Sequence, residues 1–143
     1  MSQRPRPTAG LRHVALFARH FDACVDFYTR LMGMRIEWHP DIDNVYLTSG
    51  NDNLAIHRAT DPVSATGQRL DHLGFIVNTP ADVDDWHAFL SGENVTVTQA
   101  PRTHRDGARS LYCLDPDGTT VQIIFHPPLA PGQHAFVDRR RAS

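Results

Sequence analysis

Lysine is absent from the chain, because all 14 cationic side chains are arginines. Its absence excludes Schiff-base catalysis, pyridoxal-phosphate enzymes and the lysine of a phosphate-binding P-loop. Glutamate is almost absent as well, since only Glu37 and Glu93 stand among the 16 acidic residues. The charges nearly cancel at a formal net charge of −2, which gives no electrostatic reason to expect a nucleic-acid partner.

Cysteine and long apolar runs are also scarce. The two cysteines, Cys24 and Cys113, form no CxxC pair. They are too few for a disulfide framework, so they are expected to be reduced core residues. No apolar run approaches the ~18 residues that a membrane span needs, and the first ten residues contain no apolar signal core. We therefore expect a cytoplasmic protein without a membrane partner.

The sequence does contain an internal repeat. Leu-Arg-His-Val-Ala-Leu at 11–16 is matched by Leu-Asp-His-Leu-Gly-Phe at 70–75, an offset of 59 that pairs His13 with His72. At a shifted offset of 65, Ile56-His57 pairs with Val121-Gln122. A unit of about 60 residues is too long for a solenoid repeat, and two copies are too few. The repeat therefore predicts two related modules.

Each module is predicted to contain a strand, a helix and three further strands, an α+β arrangement of two tandem βαβββ modules. The first helix, near 21–32, has an apolar stripe and a stop at Gly33; the second, near 80–91, begins with a capping box at Thr79 and ends at Gly92. A loop over 100–108 is the largest difference between the halves. The predicted boundaries are an N-terminal arm (1–10), module one (11–59), a linker (60–68), module two (69–126) and a C-terminal tail (127–143).

The repeat also makes three of the histidines candidate metal ligands. A lone strand histidine is more often structural than a ligand, but modules packed about a pseudo-twofold axis bring equivalent positions together. The repeat then predicts that His13, His57, His72 and Gln122 surround one divalent metal ion, with Ni, Zn, Fe, Mn and Co all open as its identity. Three imidazoles and an open position are typical of a catalytic rather than a structural site.

The order of elements, the openings "LRHVAL" and "LDHLGF", the helix end "FYTRLMGM" and the segment "SLYCLDPDGTTVQIIF" resemble the vicinal oxygen chelate superfamily. This group includes glyoxalase I, fosfomycin-resistance proteins, extradiol dioxygenases and bleomycin-binding proteins. The resemblance covers roughly residues 11–126. It implies two curled mixed sheets around a central cleft that holds a divalent metal, ligands on the first and last strands of each module, and a homodimer.

The chain departs from the enzymes of that superfamily at the expected glutamates. His57 and Gln122 stand on the last strands, and neither Glu37 nor Glu93 reaches those positions. A glutamine cannot act as a general base. With fewer carboxylates, the metal should act as a Lewis acid or oxygen activator toward a small oxygen-rich substrate, in a lyase, isomerase or dioxygenase. The alternative is a metal-free protein that binds a small molecule or antibiotic, of the bleomycin-resistance type. No catalytic residue is assigned.

Five further side chains are candidate substrate contacts. The two arginines of the 100–108 loop could hold an anionic group, although a solvated loop is the simpler interpretation. The three aromatic residues could line an apolar pocket, with core packing as the alternative. These candidates are Arg102, Arg105, Trp38, Tyr46 and Tyr112.

Overall fold

The computed structural model describes residues 11–61 and 70–129. The chain divides into two compact units, with the boundary in the segment between the fourth and fifth strands. The predicted N-terminal arm, the linker from residue 62 onward and the tail from residue 130 lie outside the described residues. Within the described ranges, no helix is long and apolar enough to cross a membrane.

Unit one contains four strands and one helical segment. Its elements are β1 (His13–Ala18), α1 (Phe21–Asp26) with a π-helical continuation (Phe27–Leu31), β2 (Arg35–Asp41), β3 (Asn44–Thr48) and β4 (Asn53–Arg58). The sheet order is β1-β4-β3-β2. β1 runs parallel to β4, whereas β3 pairs antiparallel with both of its neighbours.

Unit two repeats this plan. Its elements are β5 (Leu73–Ile76), α2 (Pro80–Gly92), β6 (Val97–Thr103), β7 (Arg109–Leu114), β8 (Thr120–Phe125) and a closing 3-10 turn (Pro127–Leu129). The sheet order is β5-β8-β7-β6, with β5 parallel to β8. The predicted α+β fold of two tandem βαβββ modules is confirmed.

Each sheet has one buried face and one open face, because successive strand residues point to opposite sides. In unit one the buried face includes Val45, Leu47 and Ile56, and the helical stripe of Cys24, Phe27, Tyr28 and Leu31 is buried as the spacing predicts. The other side, open face one, carries His13, Ala15, Phe17, Trp38, Asn44, Tyr46, Asn53, Ala55 and His57.

Unit two buries the corresponding residues. Leu111, Cys113, Val121 and Ile123 are almost fully buried with Val83 and Leu90 of α2. Burial raises the pKa of the Cys113 thiol to about 12, which fits an inert core cysteine. The alternate positions form open face two, which carries Gly74, Gln99, Ser110, Tyr112, Thr120, Gln122 and Ile124.

The helix ends confirm most of the sequence interpretation. Thr79 and Asp82 form the predicted capping box. Gly33 has a positive φ of 79°, a left-handed conformation that suits a helix stop. The second helix ends at Gly92, as predicted. The left-handed residue there is Asn94, with a positive φ of 61°, because asparagine tolerates that region better than most side chains.

The predicted loop over 100–108 is also shorter than expected. β6 continues through Pro101 to Thr103, so Arg102 lies on a strand and pairs in register with Ser110. A register irregularity between Gln99 and Arg102 accommodates the proline, which cannot donate a ladder hydrogen bond. The turn between the strands is therefore confined to residues 104–108.

The strand registers correct one equivalence drawn from the repeat. On open face one, Tyr46 pairs with Ala55 and Asn44 pairs with His57. On open face two, Tyr112 pairs with Gln122 and Ser110 pairs with Ile124. The structural counterpart of Gln122 is therefore Ala55, and that of His57 is Ile124. The expected pairing of His57 with Gln122 is wrong by two residues, because the connections between strands differ in length between the units.

Candidate functional site

His13 lies at one end of open face one, next to Asn53 in the β1–β4 register. Its Nδ1 is 2.7 Å from Oδ1 of Asn53. The Nδ2 of Asn53 in turn donates to Oε2 of Glu37 on β2, at 2.5 Å. These three residues come from three strands, and they line an open groove of about 660 Å³. We call this set the Glu37 relay.

The order of donors in the Glu37 relay fixes which nitrogen of His13 carries the proton. A carboxylate accepts hydrogen bonds only, so it orients the amide NH₂ of Asn53 toward itself. The amide oxygen of Asn53 then faces His13, and Nδ1 of His13 must be the N–H donor. The lone pair of the neutral imidazole is left on Nε2, the nitrogen that can bind a metal or accept a proton.

His57 has the same arrangement at the other end of the face. Its Nδ1 is 2.6 Å from Oδ1 of Asn44, and Nδ2 of Asn44 donates to both carboxylate oxygens of Asp41, at 2.8 and 2.9 Å. The hydrogen bond from Asn44 holds the pKa of the Asp41 carboxyl below its usual value. The carboxyl therefore stays ionised and acts as a hydrogen-bond acceptor. We call this set the Asp41 relay; it also leaves the lone pair on Nε2.

His72 in unit two reaches a carboxylate without an intervening amide. Its Nδ1 lies 2.6 Å from Oδ2 of Asp71, whose side chain is 93% exposed. The His72 ring also contacts the Tyr112 ring edge to face, with centroids 5.3 Å apart. All three predicted histidine ligands thus use Nδ1 for a side-chain oxygen, which is the outer-shell arrangement that metal-binding histidines have.

Gln122 lies in a row across open face two. Its Nε2 donates to the Tyr112 hydroxyl at 3.2 Å, which assigns the other amide atom, Oε1, as its free acceptor oxygen. Gly74 is its neighbour in register, and a Cβ at that glycine would come 3.4 Å from Oε1. Gln99 completes the row beyond Tyr112, and its buried Nε2 has no hydrogen-bond partner among the described residues.

The predicted aromatic contacts fall on both faces. Trp38 is 59% exposed and stacks on Tyr46, with ring centroids 5.1 Å apart and planes 24° from parallel. Tyr46 also meets the His57 ring edge to face at 6.0 Å, and Phe17 approaches the same imidazole at 6.0 Å. Tyr112 lies between His72 and Gln122. These rings are therefore on the open faces and not in the helix-covered cores.

The two predicted arginine contacts lie together but away from the rings. Arg102 on β6 and Arg105 in the following turn are both exposed. With Thr103, His104 and Asp106 they line an open groove of about 570 Å³. The Nε2 of His104 is 3.0 Å from the hydroxyl of the buried Ser110, which fastens the turn to the sheet.

The structure groups the predicted ligands unevenly. His72, Tyr112 and Gln122 form a chain of contacts on open face two, whereas His13 and His57 are separated by four register positions on open face one. That separation is about 13 Å along the strands, farther than two imidazoles on one face can reach to share an ion at bonds of about 2 Å. Among residues 11–61 and 70–129, no group of three His, Cys, Asp or Glu side chains is arranged so that it could hold a metal ion.

Sequence reasoning missed the residues behind the histidines. Glu37 occupies no ligand position, as expected, but it reaches His13 through Asn53 and so belongs to the site. Asn44, Asn53 and Asp41 were not singled out at all. Asn53 shares the alternating face of β4 with His57, which was an available signal. The contacts to β2, however, depend on register irregularities at Trp38 that no local pattern reveals.

Two consecutive βαβββ units, each with a helix-covered core and an open face, define the architecture of the glyoxalase fold. The model of the Glyoxalase/Bleomycin resistance protein/Dioxygenase superfamily matches residues 10–123, and the chain belongs to this family. The resemblance drawn from the order of elements and the four sequence segments is confirmed.

Known proteins of similar sequence or fold agree with this assignment. The chain is 29% identical over 135 residues to the uncharacterized protein PA2024 of Pseudomonas aeruginosa, covering 88% of this chain and 95% of that protein. It resembles the crystal structure of lactoylglutathione lyase from Agrobacterium tumefaciens with a TM-score of 0.69 and 22% identity, over 84% of this chain and 96% of the other. A glyoxalase-related enzyme from Fulvimarina pelagi gives a TM-score of 0.68 at 17% identity, over 84% and 90%. At these identities the structures establish the shared fold alone.

Proposed function

We propose that the chain is a metal-dependent enzyme that acts on a small oxygen-rich molecule, with a divalent ion as Lewis acid or oxygen activator. The observation that carries the proposal is the common state of His13, His57 and His72. Each imidazole is held at Nδ1 by a side-chain oxygen, so each offers the lone pair of Nε2. Neutral imidazole nitrogen suits Ni, Zn, Fe and Co, which guides the choice of probe ions.

The proposed ligands come from the predicted set of His13, His57, His72 and Gln122. The distance between His13 and His57 supports a narrower form, in which unit one contributes His13 and not His57, and the ligands proposed for unit two are His72 and Gln122. Gln122 would contribute Oε1, because its Nε2 is bonded to Tyr112. These donors are neutral, so the bound ion would keep its full charge and favour an anionic oxygen of the substrate.

Metal binding is tested first without any substrate. The stripped protein is titrated calorimetrically with Zn²⁺, Ni²⁺, Co²⁺, Mn²⁺ and, under anaerobic conditions, Fe²⁺. We expect one equivalent per chain, a loss of 100-fold or more in affinity for H13A and H72A, and less than threefold for H57A. H87A on α2 is the matched control. Binding of less than a tenth of an equivalent of every ion overturns the proposal.

The reaction class is tested on the metal that binds most tightly. Lyase or isomerase chemistry predicts turnover of adducts between 2-oxoaldehydes and thiols, and dioxygenase chemistry predicts oxygen uptake with catechols under ferrous conditions. The Agrobacterium protein of similar fold is named as a lyase. Neither predicted ligand on the last strands, His57 or Gln122, is a glutamate. Turnover of the oxoaldehyde adducts would therefore need a base other than a metal-bound carboxylate. No turnover in either panel by a metal-loaded protein contradicts the enzyme assignment.

The second candidate is a metal-free protein that binds a small molecule or antibiotic. It is favoured by the stacked pair of Trp38 and Tyr46 on an open face, since an exposed aromatic surface can bind a planar ligand. Metal-free bleomycin is the probe, read by tryptophan fluorescence. Saturable quenching that W38A abolishes and W86A preserves supports this function, while unchanged fluorescence of the native protein rejects it for this antibiotic.

We propose further that the chain works as a homodimer in the cytoplasm, with a small molecule as its substrate and neither nucleic acid nor membrane as a partner. Dimerisation is frequent in this family, and the exposed Phe17, Trp38 and Phe89 supply apolar surface that association would cover. Light scattering at several protein concentrations tests it. A constant mass near 16.0 kDa would exclude the homodimer.

A further inference from the structure

We propose that Glu37 and Asn53 are positioning residues for His13, and that the Glu37 relay strengthens metal binding by holding Nε2 of His13 deprotonated and correctly oriented. This inference rests on the proposed function, since it assigns His13 to the ion. It gives Glu37 a role on β2, outside the first and last strands where the ligands are predicted.

The hydrogen bonds of the Glu37 relay run in one direction. Asn53 lies in the middle of the relay, and its amide has a donating NH₂ and a separate accepting oxygen. Glu37 accepts at one end, so the amide has a single favourable orientation, with its oxygen toward His13. An amide turned end for end would place its oxygen against the carboxylate and its NH₂ against Nδ1–H.

The histidine of the Glu37 relay is open to solvent. His13 and Glu37 are exposed, and both line the open groove with Asn53. An exposed imidazole can rotate and exchange its proton between the two nitrogens, so its ligand state is not fixed by packing. The relay supplies the constraint that burial supplies elsewhere. Loss of an outer-shell partner of a metal-binding histidine typically costs about 10- to 100-fold in metal affinity.

Unit one contains a second relay of the same kind. The Asp41 relay has the same chemistry at His57, which is four register positions from His13. It therefore serves as a matched control, because a change at Asp41 alters a relay of the same type without touching His13. D41N should leave His13 and its metal affinity unchanged.

The decisive variants change hydrogen-bonding capacity at constant shape. E37Q replaces the acceptor-only carboxylate with a group that can donate or accept, so the Asn53 amide loses its fixed orientation. The double variant E37Q/N53D exchanges the acid and the amide. The amide introduced on β2 would donate to the carboxylate introduced on β4, and that carboxylate would accept from Nδ1–H of His13. The relay direction at His13 is thereby restored in a different chemical form.

The measurement is a two-bond ¹H–¹⁵N correlation spectrum of histidine-labelled apoprotein, at a pH where the imidazoles are neutral, with H13Q assigning the His13 signals. We expect the Nδ1–H tautomer for the wild type and D41N, a mixture for E37Q, and recovery of Nδ1–H for E37Q/N53D. Zn²⁺ affinity should fall about 10- to 100-fold in E37Q and recover to within about threefold in the double variant.

The outcomes separate this inference from the proposed function. An unchanged tautomer in E37Q overturns the relay, whatever the metal does. A changed tautomer with unchanged Zn²⁺ affinity overturns its contribution to binding. If the wild type binds none of the ions tested, the proposed function and the metal part of this inference both fail, while the tautomer spectrum still decides whether Glu37 and Asn53 position His13.

Discussion

The two units have the same ladder of strands but different chemistry on their open faces. Where unit one has His57 and Asn44, the corresponding register positions of unit two are Ile124 and Ser110. Both sheets carry register irregularities at equivalent places on β2 and β6. The backbone plan is therefore shared, whereas the two asparagine-linked histidine relays belong to unit one.

The histidines show the same contrast in how they are held. His13 and His57 are linked to a carboxylate through an asparagine from a neighbouring strand, so their orientation depends on the register of three strands. His72 uses the carboxylate of its immediate neighbour, Asp71. A relay across strands constrains the ring more than a contact within one exposed dipeptide, because the strands themselves hold the partners in place.

The largest predicted effect tests whether equivalent residues on the buried faces of the two sheets contribute equally to stability. Ile56 and Ile123 are counterparts on β4 and β8, and both are almost fully buried. I56A and I123A should each lower the free energy of unfolding by about 2–5 kcal/mol, because each leaves a cavity in a packed core. Urea denaturation measures both. A cost below about 1 kcal/mol for either would show that the two cores are not equivalent.

The next effect concerns Gln122, whose counterpart in unit one is Ala55, a residue with no ligand atom in its side chain. Q122E should raise affinity for Zn²⁺ about tenfold, because a carboxylate compensates the charge of the ion that a neutral amide leaves in place. Q122L should lower it. Calorimetric titration of the three proteins side by side decides the point. Equal affinities would remove Gln122 from the ligand set.

A smaller effect tests the difference in how the histidines are held. D71N removes the charge beside His72 but keeps an acceptor oxygen within reach of Nδ1. We expect a loss in Zn²⁺ affinity of less than tenfold, and a change in stability within about 0.5 kcal/mol, as for other exposed substitutions. A loss of Zn²⁺ affinity larger than that of E37Q would contradict the proposal that the Glu37 relay constrains its histidine more than Asp71 constrains His72.

The smallest effect comes from an ion pair that unit two places between α2 and β7. The Arg109 guanidinium donates to Asp84 at 2.7 and 3.0 Å and holds the pKa of that carboxyl below its usual value. The usual value is 3.8. A depressed folded pKa contributes stability above the unfolded value, and this contribution is lost as the pH falls through the folded pKa. D84N should therefore be slightly less stable than the wild type at pH 7, and the difference should disappear in strong acid. A difference that persists there contradicts the assigned cause.

The fold could be predicted from the sequence. The repeat indicates two modules, and the elements within each module follow from local signals such as helix stripes, caps and tight turns. The stripe through Tyr28 and the capping box at Thr79 need only a few neighbouring residues. The site was predicted less completely. The equivalence of His57 with Gln122 failed because an offset between repeats changes whenever a connection changes length. Glu37 was missed because it is distant from Asn53 in the chain and meets it only across the sheet.

The most direct test of the central claim is the histidine ¹H–¹⁵N spectrum of the wild type before and after one equivalent of Zn²⁺. We predict that Nε2 of His13 and His72 shifts, that their Nδ1 atoms stay protonated, and that the His57 signals do not move. Unshifted His13 and His72 signals, or coordination through Nδ1, would contradict the assignment of these histidines as metal ligands.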